Sequence, residues 1–240
     1  MHVIRKKQKN SNRYSNLVVD NNPNSSISEQ FRTIRTNLHF SMIDRKFKTI
    51  VITSAGQGAG KSFAAINLAA TIASENKRVL LVDADLRRPT VNRTFRLNNY
   101  LGLTTLLADK DLSASKVIRY NRNTNLYILT SGAIPPNPSE LLSSDRMNEI
   151  MKELEADFDL IIYDMPPVLA VTDAQILASK VDGTIFVLPK GQVTEEDAMK
   201  SKELLDIVGA RVIGAIFNRV KKKNNDYYYQ SIKEEDNGSY

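Results

Sequence analysis

Eight consecutive residues, Ala55-Gly56-Gln57-Gly58-Ala59-Gly60-Lys61-Ser62, have the composition of a loop that holds phosphate. Gly56, Gly58 and Gly60 let the backbone curl until its N–H groups point inward, and a helix starting at Lys61 adds the positive end of its dipole. Lys61 would neutralise the β- and γ-phosphates. Ser62 offers a hydroxyl to Mg²⁺, a cation that takes few protein ligands and keeps most of its water. The spacing is the Walker A pattern with alanine in the first place. Gln57, Ala59 and Phe63 complete the residues expected against the nucleotide, and ATP with Mg²⁺ is the expected ligand pair.

Two further groups carry acid chemistry. Val79-Leu80-Leu81-Val82 leads into Asp83-Ala84-Asp85-Leu86-Arg87, and in an extended strand end positions 83 and 85 point to one side. Two carboxylates so placed repel unless a cation or a proton lies between them. Leu160-Ile161-Ile162-Tyr163 delivers Asp164 to a strand end in the Walker B manner, where the carboxylate completes a magnesium shell. The expected metal environment is Ser62, Asp83 and Asp164, and the expected catalytic set is Lys61, Asp83, Asp85 and Arg87. Arg87 either stabilises a transferring phosphoryl group or pairs with Asp85.

The elements that must position these residues alternate along the chain. Apolar, β-branched runs at Thr49–Thr53, Arg78–Val82, Leu126–Thr130, Leu160–Tyr163, Thr184–Leu188 and Val212–Phe217 lack polar alternation, as strands covered on both faces do. Helical patterns at Lys61–Ser74, Asp145–Asp157, Asp173–Ala178 and Glu195–Val208 lie between them. The pattern predicts an α/β fold, a P-loop NTPase whose mostly parallel central sheet is covered by helices on both faces. In such sheets ligands lie at the carboxyl ends of the strands, so the three motifs converge on one edge. An earlier helix, starting near Ser26 or Ser28, carries an apolar stripe of Ile27, Phe31, Ile34, Leu38 and Met42.

Composition bounds the rest. A 240-residue chain that is 42% apolar and 25% charged can bury a substantial core, and no run reaches the roughly 20 apolar residues of a membrane span. The absence of cysteine excludes thiol catalysis, disulfides and zinc–thiolate or iron–sulfur sites, and fits a cytoplasmic setting. The net charge of +6 is concentrated in the first residues, where Arg5, Lys6, Lys7, Lys9 and Arg13 precede any acid. Three parts are expected: a flexible basic arm at 1–25, a nucleotide-binding domain at 26–219 and a flexible tail at 220–240. The tail holds Tyr227, Tyr228, Tyr229 and Tyr240, four of the nine tyrosines, and its four lysines balance its four acids. Each phosphate added there would contribute about −1.5 to −2 charges.

The phosphate loop, the Asp-x-Asp-x-Arg strand end and the Asp164-Met165-Pro166-Pro167 ending together resemble a branch of P-loop ATPases. That branch includes partition and division-site ATPases, iron–sulfur carrier ATPases and bacterial tyrosine kinases. Ser28–Asn37 resembles the E-x-x-R-x-x-R oligomerisation segment of the kinases, and Ser131–Leu142 resembles their proline-rich signature. The resemblance is closest to the capsular-polysaccharide (CpsD/CapB-type) kinases. Two positions depart from the branch. Gly56 stands where partition ATPases carry a second lysine, and Met165 stands where the kinases usually have threonine.

The resemblance implies a magnesium- and ATP-dependent kinase that phosphorylates its own tail tyrosines, with Asp83 or Asp85 as the base. It implies that Glu29, Arg32 and Arg35 contact a neighbouring subunit in a head-to-tail ring. It also implies that Asn218 contacts the base, the alternative being a strand-end cap. The expected partners are a transmembrane polysaccharide co-polymerase that activates the kinase and a cognate phosphotyrosine phosphatase, with no nucleic acid. The resulting location is cytoplasmic, at the inner face of the cell membrane through that partner.

Overall fold

The computed structural model describes residues 16–41 and 47–220. Seven strands form one sheet: β1 (Thr49–Ser54), β2 (Val79–Asp83), β3 (Arg119–Asn121), β4 (Leu126–Leu129), β5 (Leu160–Asp164), β6 (Gly183–Pro189) and β7 (Val212–Asn218). Their order across the sheet is β3-β4-β2-β5-β1-β6-β7, and every pairing is parallel except β3 with β4. The segment after β4 is drawn in close to this edge, because Gly102 packs where a Cβ would lie 2.2 Å from the carbonyl oxygen of Thr130.

Among the described residues ten helices accompany the strands. They are α1 (Val18–Asn21), α2 (Ser26–Ser41), α3 (Lys61–Ala73), α4 (Val91–Phe95), α5 (Leu103–Ala108), α6 (Ala114–Val117), α7 (Pro138–Ser143), α8 (Asp145–Asp157), α9 (Asp173–Ala178) and α10 (Glu195–Ile207). Side-chain caps start three of them: Ser25 accepts from the Ser28 amide at α2, Ser144 from the Met147 amide at α8, and Thr194 from the Asp197 amide at α10.

The central strands β1, β2 and β5 are buried at every position because each serves two cores. Val51, Leu80, Val82, Ile161 and Tyr163 pack on one side with α5, α8 and α9. Ile50, Ile52, Val79, Leu81 and Ile162 pack on the other side with α2 and α3. Successive side chains of a strand alternate between faces, so a sheet with helices on both sides shows no polar alternation. The expected doubly covered α/β sheet is the observed one.

Position in the sheet decides where the motifs meet. β5 lies between β1 and β2, with Asp164 opposite Ile52 on one side and Asp83 on the other. The carboxyl ends of the three motif-bearing strands are therefore immediate neighbours.

Four details differ from the sequence expectations. β7 is an edge strand paired only with β6 and is largely exposed, Phe217 to 70%. No further element of the described residues covers its outer side, so its apolar composition does not signal burial on both faces. The expected flexible arm at 1–25 is docked over its last part: Leu17 is wholly buried and α1 packs on α2 and α3. In α2 the stripe is led by Phe31 and Leu38, whereas Ile27 is 41% exposed and Met42 lies outside the described residues. Finally β3, with its antiparallel pairing, and the short helices α4 to α7 were not foreseen, being too brief to show a period.

Asn67, wholly buried on α3, explains the docked arm. Its Oδ1 accepts from the amides of Val18 (2.8 Å) and Val19 (3.1 Å), and its Nδ2 donates to the carbonyls of Asn16 and Phe63. Replacing it leaves the part-buried amides of Val18 and Val19 without partners, at a cost of about 1 kcal/mol or more. Asn67→Ala should lower the melting temperature by several degrees and open the 16–25 segment to limited proteolysis. Unchanged protection of that segment would contradict the assignment.

Candidate nucleotide and phosphoryl-transfer site

The phosphate loop leaves β1 and turns into α3 through two left-handed glycines, Gly58 (φ +73°) and Gly60 (φ +88°). A side chain at either place would be strained, and at Gly60 a Cβ would also lie 2.1 Å from Asn218 Nδ2. The loop is braced from outside. Ser54 Oγ donates to the Gly56 carbonyl (2.8 Å), Asn218 Nδ2 to the Ala59 carbonyl (2.8 Å) and Arg219 Nη2 to the Gly58 carbonyl (2.8 Å). Asn218 closes β7 rather than following it, and its Oδ1 accepts from the Arg219 amide. The side chain thus holds the loop and caps the strand. Arg219 was not anticipated, as nothing in its immediate sequence marks it.

Below the loop three carboxylates surround one ammonium. Lys61 Nζ lies 2.8 Å from Asp85 Oδ2 and 3.4 Å from Asp164 Oδ1. Asp85 Oδ1 accepts from the Arg88 amide, and Asp83 Oδ2 accepts from the amides of Thr90 and Val91 at 2.9 Å each. Burial opposes the charge on Lys61, but Asp164, Asp85 and Asp83 outweigh it and raise its pKa. Burial raises Asp164, with Lys61 pulling the other way. Burial, reinforced by the charge of Asp164, pushes Asp83 up to about 8 from 3.8, against the two amides and Lys61.

Two oxygens in this group, Asp83 Oδ1 and Asp164 Oδ2, are buried without a hydrogen-bond partner among the described residues. Orphaned carboxylate oxygens on adjacent strand ends, beside the Ser62 hydroxyl, fit a hard cation. Among the described residues no three His, Cys, Asp or Glu side chains close on one point. The remaining ligands would then come from phosphate oxygens and water, as suits Mg²⁺.

The loop and Asp85 line a cleft of about 370 Å³ together with Phe63, Arg87, Arg88, Pro166 and Pro167, while Asp83 and Asp164 lie buried behind it. Arg87 does not pair with Asp85. Its Nε and Nη2 donate to the two oxygens of Asp173 at 2.9 and 3.0 Å, because Lys61 and the Arg88 amide already occupy Asp85. Asp173 and Ser139, which also contacts Arg87, were not singled out as site residues. Ser139 sits inside the proline-rich run, but nothing in sequence places it beside Arg87. Arg88 turns to Gln57 instead (2.8 Å). Met165 is wholly buried, its side chain packed in the apolar core, while Asp164 beside it keeps its contact with Lys61.

The proposed subunit-contact residues divide. Glu29 and Arg32 pair with each other on α2, as i,i+3 neighbours do, and Arg32 also donates to the Pro23 carbonyl. Arg35 is not on the free face opposite the apolar stripe. It reaches back to Glu75 (3.2 Å) and the Thr71 carbonyl at the end of α3. The four tail tyrosines lie outside the described residues.

A parallel sheet whose first strand feeds a glycine-curled phosphate loop, with the Walker B strand beside it, defines the P-loop nucleotide-binding class. The family model described as AAA domain matches residues 47–192. Relatives narrow the class. The tyrosine-protein kinase YwqD of Bacillus subtilis is 45% identical over 230 residues, 95% of this chain and 97% of its own. The putative tyrosine-protein kinase CapB of Staphylococcus aureus is 39% identical over 90% of this chain and 94% of its own. Etk of Escherichia coli is 39% identical over 88% of this chain but 29% of its own length. The solved kinase domain of Etk superposes with a TM-score of 0.83, covering 88% of this chain and 83% of that domain. The chain belongs to the bacterial tyrosine-protein kinases.

The raised Asp83 gives the site a pH signature. A cation on Asp83 and Asp164 must displace the proton that Asp83 holds below about pH 8, so binding releases protons and weakens as pH falls. Magnesium-dependent ADP binding should lose up to about tenfold in affinity per pH unit below 8, one proton being exchanged. Calorimetry in buffers of different ionisation enthalpy measures the release. No proton release at pH 7 would exclude Asp83 from the metal environment.

Proposed function

We propose that this kinase transfers phosphate from ATP, with Mg²⁺, to its own C-terminal tyrosines, in trans within a head-to-tail ring, and regulates capsular or exopolysaccharide synthesis and export. The observation that carries the reading is Asp85, a carboxylate in the cleft wall 2.8 Å from the phosphate-binding ammonium of Lys61. Mg²⁺ would be held by Ser62, Asp83 and Asp164 and supplies charge neutralisation to the phosphates. Lys61 binds the same phosphates, cradled by the amides of Gly56, Gln57, Gly58, Ala59, Gly60 and Ser62.

In the transfer, the phenolic oxygen of the acceptor forms a bond to the γ-phosphorus. The bond from that phosphorus to the bridging oxygen breaks, and ADP leaves with the electron pair. The phenol, with an ordinary pKa of about 10, gives its proton to a carboxylate at neutral pH. Asp85 suits that role better than Asp83. Asp85 lines the cleft, with Lys61 and the Arg88 amide on its oxygens, whereas Asp83 is wholly buried.

Four of nine tyrosines fall in the last fourteen residues of a tail without net charge, which supports the tail as acceptor. Its phosphorylation would make it strongly anionic and repel it from an anionic nucleotide site. Glu29, Arg32 and Arg35 are assigned to the ring contact on the resemblance of Ser28–Asn37, and Asn218 to the nucleotide side of the loop that it braces. No helix among the described residues is long and apolar enough to cross a membrane. A membrane-spanning polysaccharide co-polymerase would supply both activation and attachment at the inner membrane face, with a phosphotyrosine phosphatase resetting the tail.

The test is the purified chain with ATP and Mg²⁺, probed for phosphotyrosine. Changing Tyr227, Tyr228, Tyr229 and Tyr240 together to Phe should remove most of the signal while leaving ADP binding unaltered. ATP hydrolysis with no phosphotyrosine, even after adding an activating membrane-protein tail, would overturn the reading. Glu29→Ala/Arg32→Ala/Arg35→Ala should shrink the oligomer and abolish trans phosphorylation; an unchanged sedimentation profile and signal would sink the ring.

A further inference from the structure

One cation in the cleft is held by residues that the nucleotide motifs do not include. Arg87 follows β2, and its guanidinium is gripped along the Nε–Nη2 edge by Asp173, the first residue of α9, at 2.9 and 3.0 Å. Ser139, in the first turn of α7, completes the grip. Its Oγ donates to Asp173 Oδ1 (2.7 Å) and accepts from Arg87 Nη2 (3.1 Å). Asp173 is wholly buried, whereas Arg87 is 40% exposed and lines the cleft with Lys61 and Asp85. Among the described residues its Nη1 makes no hydrogen bond.

The geometry separates two tasks on one side chain. A planar guanidinium bound through two parallel N–H···O bonds to a fixed carboxylate has its plane and azimuth set, and Ser139 fixes the carboxylate in turn. The edge left over carries the remaining donors toward the cleft. Three strand ends contribute: Arg87 after β2, Ser139 after β4 and Asp173 after β5. A free arginine on a cleft rim would have to be ordered as charge develops on the phosphoryl group, whereas one already ordered adds its stabilisation without reorganisation.

We propose that Asp173 and Ser139 are positioning residues for the phosphoryl transfer, acting through Arg87 by holding its free edge toward the phosphoryl group in flight. The proposal rests on the kinase reading with Arg87 in the cleft. The rival explanation is that the pair only fastens α9 to the β2 loop. The two differ in how the substitutions combine. A positioning residue loses its effect when the residue it positions is gone, while a fastener keeps its effect.

The experiment is a kinetic double-mutant cycle on the full chain: Asp173→Asn, Ser139→Ala, Arg87→Ala and each of the first two combined with Arg87→Ala. Phosphotyrosine formation is followed in single turnovers at saturating ATP and Mg²⁺, beside affinity for a fluorescent ADP and the melting temperature. Asp173→Asn should slow transfer about tenfold or more, in the range of losing one preorganised donor, with ADP affinity within about threefold. Ser139→Ala should slow it by a smaller factor. On the Arg87→Ala background neither should slow it further by more than about twofold. Equal slowing on both backgrounds, an unchanged rate, or a loss of ADP affinity matching the loss of rate would each overturn the proposal. If Asp173→Asn does not fold, the Ser139→Ala cycle decides. Absence of phosphotyrosine from the unaltered chain would overturn the kinase reading instead, and the same cycle on ATP hydrolysis would then decide the clamp.

Discussion

The site is organised by a shortage of positive charge among carboxylates that are almost wholly buried. Asp83 and Asp164 end neighbouring strands inside the protein, Asp85 lies just beyond, and Lys61 is the ammonium bonded to two of the three. Removing several carboxylates from water around a single cation is unfavourable unless protons or further cations arrive. The protein meets this by retaining a proton on Asp83 and by leaving two oxygens unpartnered. Those two features make the same spot receptive to a divalent cation. The metal site proposed for it and its internal electrostatic strain would have one origin.

The sheet produces that shortage. Inserting β5 between β1 and β2 sets Asp164 against Asp83 in register, and the apolar residues preceding each carboxylate keep both strands in the two cores. The loop needs the same frame. Gly60 approaches Asn218 too closely for any side chain, and Asn218 closes a strand on the far side of β6. The nucleotide site is therefore drawn together from β1, β2, β5 and β7, and each element is held by packing remote from the chemistry.

Much of this was legible in the chain itself. Glycine spacing, an apolar run ending in aspartate and a helix after lysine are local patterns, and local patterns carried the loop, the Walker strands and six of the seven strands. What was not legible depends on partners distant in sequence. The only ion-pair partner that sequence offers Arg87 is Asp85, two residues away, as the alternative to a role on the phosphoryl group, while its partner is Asp173, 86 residues on. Asn67 looked like one more residue of a helix, yet it anchors residues 16–19, which composition assigned to a free arm. The apolar pattern of β7 matched that of a buried strand, because pattern reports a side chain's character and not its place in the sheet. Met165 shows the reverse case: a departure from the motif that matters little to the carboxylate beside it, since its side chain faces the core.

The bracing of the phosphate loop by β7 has a consequence for local stability. Opening free energies within one protein range from nearly nothing at exposed elements up to the global value in the core. β7 is the least buried of the parallel strands, and Asn218 and Arg219 at its end hold the carbonyls of Ala59 and Gly58. The phosphate loop is thereby fastened to an exposed edge strand. Local opening of that edge would release two carbonyl anchors of the loop, Ala59 and Gly58, without unfolding the core.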